Sequence, residues 1–143
     1  MALDAATLAL TAAELKTTLA GAKIAKLFEP TRDELVITLR TRTETDSLLL
    51  SARSGSARVC LTEESFENPE TPPSFCMLMR KHLTGGRLLD VRMEPGDRIV
   101  YFEFQCTNEM GDLVRNILCA ELMGRYSNLV LVQNGKIIDA LKR

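Results

Sequence analysis

The stretch DELVITLRTR, Asp33 to Arg42, decides how the chain is read. Leu35, Ile37 and Leu39 alternate with Val36, Thr38 and Arg40. A period of two sends alternate side chains to opposite faces, so this is a strand with one face toward a core. Before it, KIAKLFE (Lys23–Glu29) is a second strand candidate. After it come SLLLSA (Ser47–Ala52) and ARVCL (Ala57–Leu61). Upstream the period changes. Leu8, Ala12, Leu15 and Leu19 recur at helical spacing, which predicts a helix over Thr7–Leu19. Asp4 or Thr7 is its candidate cap and Gly21 its stop.

Downstream, Pro72 and Pro73 rule out a strand. Ser74 is placed to cap a short helix through Leu83, ended by Gly85-Gly86. Five further strands are expected, at Arg87–Glu94, Asp97–Cys106, Leu113–Met123, Asn128–Val132 and Lys136–Leu141. Asn134-Gly135, between the last two, signals a type I′ hairpin. There is no repeat, low-complexity segment or linker. Nine short strands and two helices predict an α+β, mainly β domain, a β-sandwich or barrel flanked by helices.

At 143 residues the chain is one domain's worth, with length enough for a core. It stops at Lys142-Arg143 straight after a strand, which reads as a piece of a longer, multidomain protein. Formal net charge is -1, so the whole is no polycation, and any contact with nucleic acid must use a local patch. The start, MALDAATLAL, lacks the basic region and long apolar run of a signal peptide. No apolar run reaches the ~20 residues of a membrane span. Cys60, Cys76, Cys106 and Cys119 are widely spread among apolar neighbours, as free thiols in a reducing cytoplasm would be. One histidine, His82, excludes a multi-histidine metal site.

Three polar constellations stand out. In EPGDRIVYFEF (Glu94–Phe104), Pro95 and Gly96 suit the centre of a type II turn, and Asp97-Arg98 follow at the root of a strand. Alternation puts Arg98 in the row of Val100, Phe102 and Phe104, and Asp97 in the row of Ile99 and Tyr101. The pair serves either as turn polarity with a weak local ion pair or as a fixed guanidinium for phosphate. In MLMRKHLTGGR (Met77–Arg87), Arg80, Lys81, His82 and Arg87 gather at a helix end. There they either answer the helix dipole or form an electrostatic footprint for RNA. In CAELMGRYSNLVLV (Cys119–Val132), Gly124 suggests a bend or bulge, with Arg125, Ser127 and Asn128 beside it. Those polar groups either satisfy their own corner or touch a phosphate backbone. His82 has no serine or cysteine nucleophile partner in sequence, and there is no Gly-rich phosphate loop.

Taken together, LLLSARSGSARVCLTEESFENPETPPSFCMLMRKHLTGGRL, DRIVYFEF, ELMGRYSNLVLV and GKIIDALKR resemble the N-terminal domain of the NFACT family, the bacterial RqcH and eukaryotic NEMF group. The bacterial members were formerly called fibronectin-binding protein A homologues. The resemblance covers nearly the whole chain in order. It implies a fold similar to the N-terminal domain of formamidopyrimidine-DNA glycosylase. It also implies ribosome quality control: binding of the large ribosomal subunit carrying peptidyl-tRNA, and recruitment of tRNA, chiefly alanine tRNA, for untemplated tailing of nascent chains. The family's adjacent acid and base, tied to tRNA recruitment, fall on Asp97 and Arg98. No cofactor, membrane or DNA is expected, and no catalysis. Glycosylases of the similar fold use an N-terminal proline followed by glutamate, whereas this chain begins Met1-Ala2-Leu3-Asp4. The alternative is a protein-binding or adhesion module, as the older family name suggests.

Overall fold

A computed structural model describes residues 5–94 and 96–142. Its elements are α1 (Ala5–Leu19), β1 (Lys23–Thr31), β2 (Glu34–Arg40), β3 (Thr45–Ser51), β4 (Arg58–Thr62), α2 (Ser74–Leu83), β5 (Arg87–Met93), β6 (Ile99–Thr107), β7 (Leu113–Glu121), β8 (Asn128–Gln133) and β9 (Lys136–Ala140). A one-turn 3-10 helix at Gly124–Tyr126 separates β7 from β8. The α+β, mainly β expectation holds. All nine strands join one antiparallel sheet in the order β4-β3-β2-β1-β5-β6-β7-β8-β9.

The sheet is two meanders sharing a narrow seam. Between β1 and β5 the only residue partners are Lys23 and Arg87. The seam is closed by backbone bonds from Gly21 to Leu88, Leu88 to Ala22, Ile24 to Gly86 and Gly85 to Ile24. Both meanders contribute to one core: Leu35, Ile37, Leu39, Leu48 and Leu50 from one, Val100, Phe102, Phe104, Leu118 and Leu131 from the other. The sheet must therefore fold over on itself, and Lys142 Nζ, just past β9, donates at 2.7 Å to the carbonyl of Ala52, just past β3, tying the two meanders. Helix α1 buries Leu8, Ala12, Leu15 and Leu19 in that core, the four residues whose spacing predicted it.

Several local expectations need correction. Thr7 lies inside α1, not at its cap, and Asp4 is outside the described residues. Ser74 begins α2 but does not cap it. The capping position is Pro73, with no side-chain bond. Instead the backbone N–H of Cys76 reaches Glu29, a buried carboxylate on β1. β1 continues past Glu29 through Pro30, which the ladder tolerates because the register slips between Phe28 and Thr31. β7 stops at Glu121, so Gly124 (φ 60°) breaks the chain between two strands and does not bend one. Asn134 and Gly135 have φ of 52° and 76°, as the type I′ turn requires. The four cysteines are free thiols, with Cys76, Cys106 and Cys119 buried and Cys60 half-buried.

Val36 and Leu49 are buried although they face away from the core. The segment around Glu64–Asn68 lies beside Val36, and Phe66 shares a pocket with Phe28 and Val36. A small second apolar cluster thus covers part of the outer face of β1–β3.

Candidate nucleic-acid interface

The turn between β5 and β6 is built from the chain's own backbone. Asp97 N donates to Glu94 O at 3.3 Å, and Gly96 has φ 84°, which suits the third position of a type II turn. Pro95 lies outside the described residues. β6 begins at Ile99, so Asp97 and Arg98 belong to the turn, not to the strand. They are nevertheless held from both sides. Glu94 N donates to Ile99 O, and Arg98 O accepts Leu122 N from the neighbouring strand's extension. Asp97 is exposed and Arg98 half-buried, next to the buried row of Val100, Phe102 and Phe104. This is a rigid base presenting two opposite charges at the rim of the sheet. Glu94 and Asp97 also act on Tyr101, whose phenol is pushed up mainly by burial and then by Glu94, Cys119 and Asp97.

The α2 cluster is divided. Arg80 turns inward: its Nε donates to Leu27 O at 2.9 Å and its guanidinium lies 5.9 Å from the centre of the Phe28 ring. Lys81 is exposed and pairs with Glu109 at 3.5 Å. His82 is half-buried. Burial, helped by Lys81 and opposed by Glu109, pulls its imidazole below the ordinary range. It lines a pocket of about 260 Å³ with Lys81, Asn108, Asn116 and Gln133. The pocket floor is already satisfied: Asn116 donates to His82 O and accepts from Gln133, both at 2.8 Å. Arg87 is exposed, one nitrogen donating to Gly21 O at 3.1 Å.

At the Gly124 corner the polar groups serve the fold. Ser127 is fully buried and its hydroxyl donates to Gly124 O at 2.6 Å. Asn128 clamps the end of the described chain, donating to Lys142 O and accepting from Lys142 N, both at 2.8 Å. Of the three, only Arg125 is exposed, stacked over Tyr126 at 5.1 Å. Among the described residues, no group of three His, Cys, Asp or Glu is placed to hold a metal ion, and no helix is long and apolar enough to cross a membrane.

Strand register also brings together cations that sequence alone leaves apart. Lys23 stands opposite Arg40 on one side and Arg87 on the other.

Residues 4–143 match the family model for the NFACT N-terminal and middle domains. The chain belongs to the NFACT family. Among curated relatives it is 39% identical over 132 residues to the Rqc2 homolog RqcH of Streptococcus suis, covering 91% of this chain and 24% of that protein. It is 38% identical over 131 residues to RqcH of Bacillus subtilis, covering 90% and 23%. This NFACT chain thus spans about a quarter of the length of those relatives. Among solved structures, the N-terminal part of the fibronectin/fibrinogen-binding protein of Streptococcus suis superposes with a TM-score of 0.90 at 38% identity, covering 94% of this chain and 52% of that one. The N-terminal domain of the fibronectin-binding protein PavA of Streptococcus pneumoniae gives 0.88 at 36% identity, covering 92% and 50%.

Proposed function

We propose that this NFACT domain is the RNA-binding module of a cytoplasmic ribosome quality control factor. The factor engages the large ribosomal subunit carrying a stalled peptidyl-tRNA and recruits alanyl-tRNA for untemplated tailing. Peptide-bond chemistry belongs to the ribosome, and the domain is not an enzyme. The observation that supports this reading is the family match over residues 4–143; the resemblance assigns the family's acid–base pair to Asp97 and Arg98, whose turn is braced by backbone bonds. Arg98 supplies a fork suited to a phosphate. Asp97 accepts a base or sugar hydrogen bond or orients Arg98. The test is to sequence RNA co-purified with the complete protein and with its Asp97→Ala, Arg98→Ala variant. Enriched alanine tRNA with the parent, lost in the variant while the large subunit is still bound, is expected. The variant's Tm should stay within a few degrees, since both residues sit in a turn outside the buried core, whose strand begins at Ile99. Equal tRNA recruitment by a folded variant would refute the role given to the pair.

The adhesion reading draws on the names of the superposable streptococcal proteins. Absence of bound RNA, together with tight capture of fibronectin by the complete protein, would favour it.

A further inference from the structure

The pairing of Lys23 with Arg40 and Arg87 is part of a longer row. Arg40 stands opposite Thr45 on β3, Arg87 opposite Gln105 on β6, and Gln105 opposite Arg115 on β7. Six strands therefore place Thr45, Arg40, Lys23, Arg87, Gln105 and Arg115 side by side. Directly opposed residues share a face. Their inward-facing neighbours Leu39, Ile24, Leu88 and Cys106 are buried, so the row lies on the outside of the curled sheet. With strands ~4.8 Å apart, it runs about 24 Å.

The row holds four cations and no acid. Arg115 reaches back to Glu103 at 3.3 Å. Lys23, Arg40 and Arg87 have no carboxylate within ion-pair distance among the described residues, and all three are exposed. Glu44, in the turn after β2, is exposed and unpaired with Arg40. Like charges directly opposite one another destabilise a sheet, and this sheet repeats the arrangement at both of Lys23's neighbours. A β-bulge adds a fifth cation. The register slips between Ile24 and Lys26, so Lys26 pairs with Thr38 and points to the same face as Lys23.

We propose that this row is a track for the phosphate backbone of RNA, separate from the Asp97–Arg98 turn. Arg87 opens β5 and the turn closes it, so the two sites lie about 20 Å apart along that strand. Spaced cations along a curved surface suit a run of phosphates, where a single small anion needs converging donors. The inference rests on the RNA-binding reading above.

The experiment measures binding of unfractionated tRNA to the complete protein at several salt concentrations. The variants are Lys23→Gln with Arg40→Gln, Lys23→Arg with Arg40→Lys, and Arg32→Gln as a control at the far end of β1. Each phosphate contact contributes about 0.7 to 0.9 to the slope of log affinity against log salt. The double glutamine variant should lower the slope by about 1.4 to 1.8 and weaken binding at ~0.1 M salt by tenfold or more. The charge-preserving variant and Arg32→Gln should bind as the parent does. Unchanged slope and affinity in a folded double glutamine variant would overturn the track. So would loss of binding to phosphatidylserine vesicles with tRNA binding intact. If the parent binds no RNA, both this and the RNA-binding reading fall. If Asp97→Ala, Arg98→Ala loses tRNA while the double glutamine variant does not, only the track falls.

Discussion

Glu29 shows how much a single side chain can be out of place by ordinary rules and still be explained. It is buried, its Oε1 has no hydrogen-bond partner, and burial pushes its carboxyl above the ordinary 4.5 despite the opposing bond from the Cys76 N–H. It stands where α2 lacks a cap of its own, and a carboxyl there answers orphan N–H groups. An acid whose folded value is raised holds its proton more tightly when folded. Its contribution to stability is therefore greatest below about pH 4.5 and is lost as pH rises through the raised value. Glu29→Gln keeps an acceptor oxygen and removes the charge. The variant's Tm relative to the parent should rise between pH 4 and pH 7, by a few degrees. Parallel Tm profiles for the two proteins would show that Glu29 does not titrate as proposed. From the sequence, Glu29 reads as the polar end of a strand. Its partner lies 47 residues along the chain, so no local pattern could reveal it.

At the scale of elements, hydrophobic period carries most of the information. Each expected strand and helix exists, because one-sided burial leaves its mark in consecutive residues. The Asp97–Arg98 turn was legible for the same reason, since Pro95-Gly96 announces it locally. The cation row was not, since it depends on which strands become neighbours, and Lys23, Arg40, Arg87 and Arg115 lie far apart in sequence. The β1–β5 seam imposes its own demand at Gly86. A methyl group there would sit 2.6 Å from Cys106 Sγ and 2.9 Å from Leu83 O. Gly86→Ala should destabilise by about 1 to 3 kcal/mol, as overpacking in a tight core does. Urea unfolding should show it as a lower midpoint with unchanged slope. Adding Cys106→Ala should recover only part, since the Leu83 carbonyl remains. Full recovery would place the whole clash on the thiol, and no loss at all would mean the seam gives way freely.

For the whole molecule the question is whether a sheet joined at one residue pair behaves as one unit. The seam is slight, yet the core is continuous across it. Leu48 and Leu50 of β3 share one buried cluster with Leu118 of β7 and Leu131 of β8, with α1 inserted beside them. Opening either meander would therefore expose apolar surface belonging to both, and burial at ~25 cal/mol per Å² outweighs the few backbone bonds of the seam. The Lys142 bond to Ala52 closes the far side and makes separate opening still less favourable. The meanders should accordingly unfold together. Native-state hydrogen exchange checks this directly: the slowest amides of β3 and of β7 should exchange with the same free energy and the same denaturant dependence. A β2–β3 wing that exchanges well below the global value would mean that the seam is a hinge. The cation row, which crosses that seam at Lys23 and Arg87, would then flex with it, and a rigid track could not form on it. Equal protection on both sides is what a fixed spacing of charges against RNA requires.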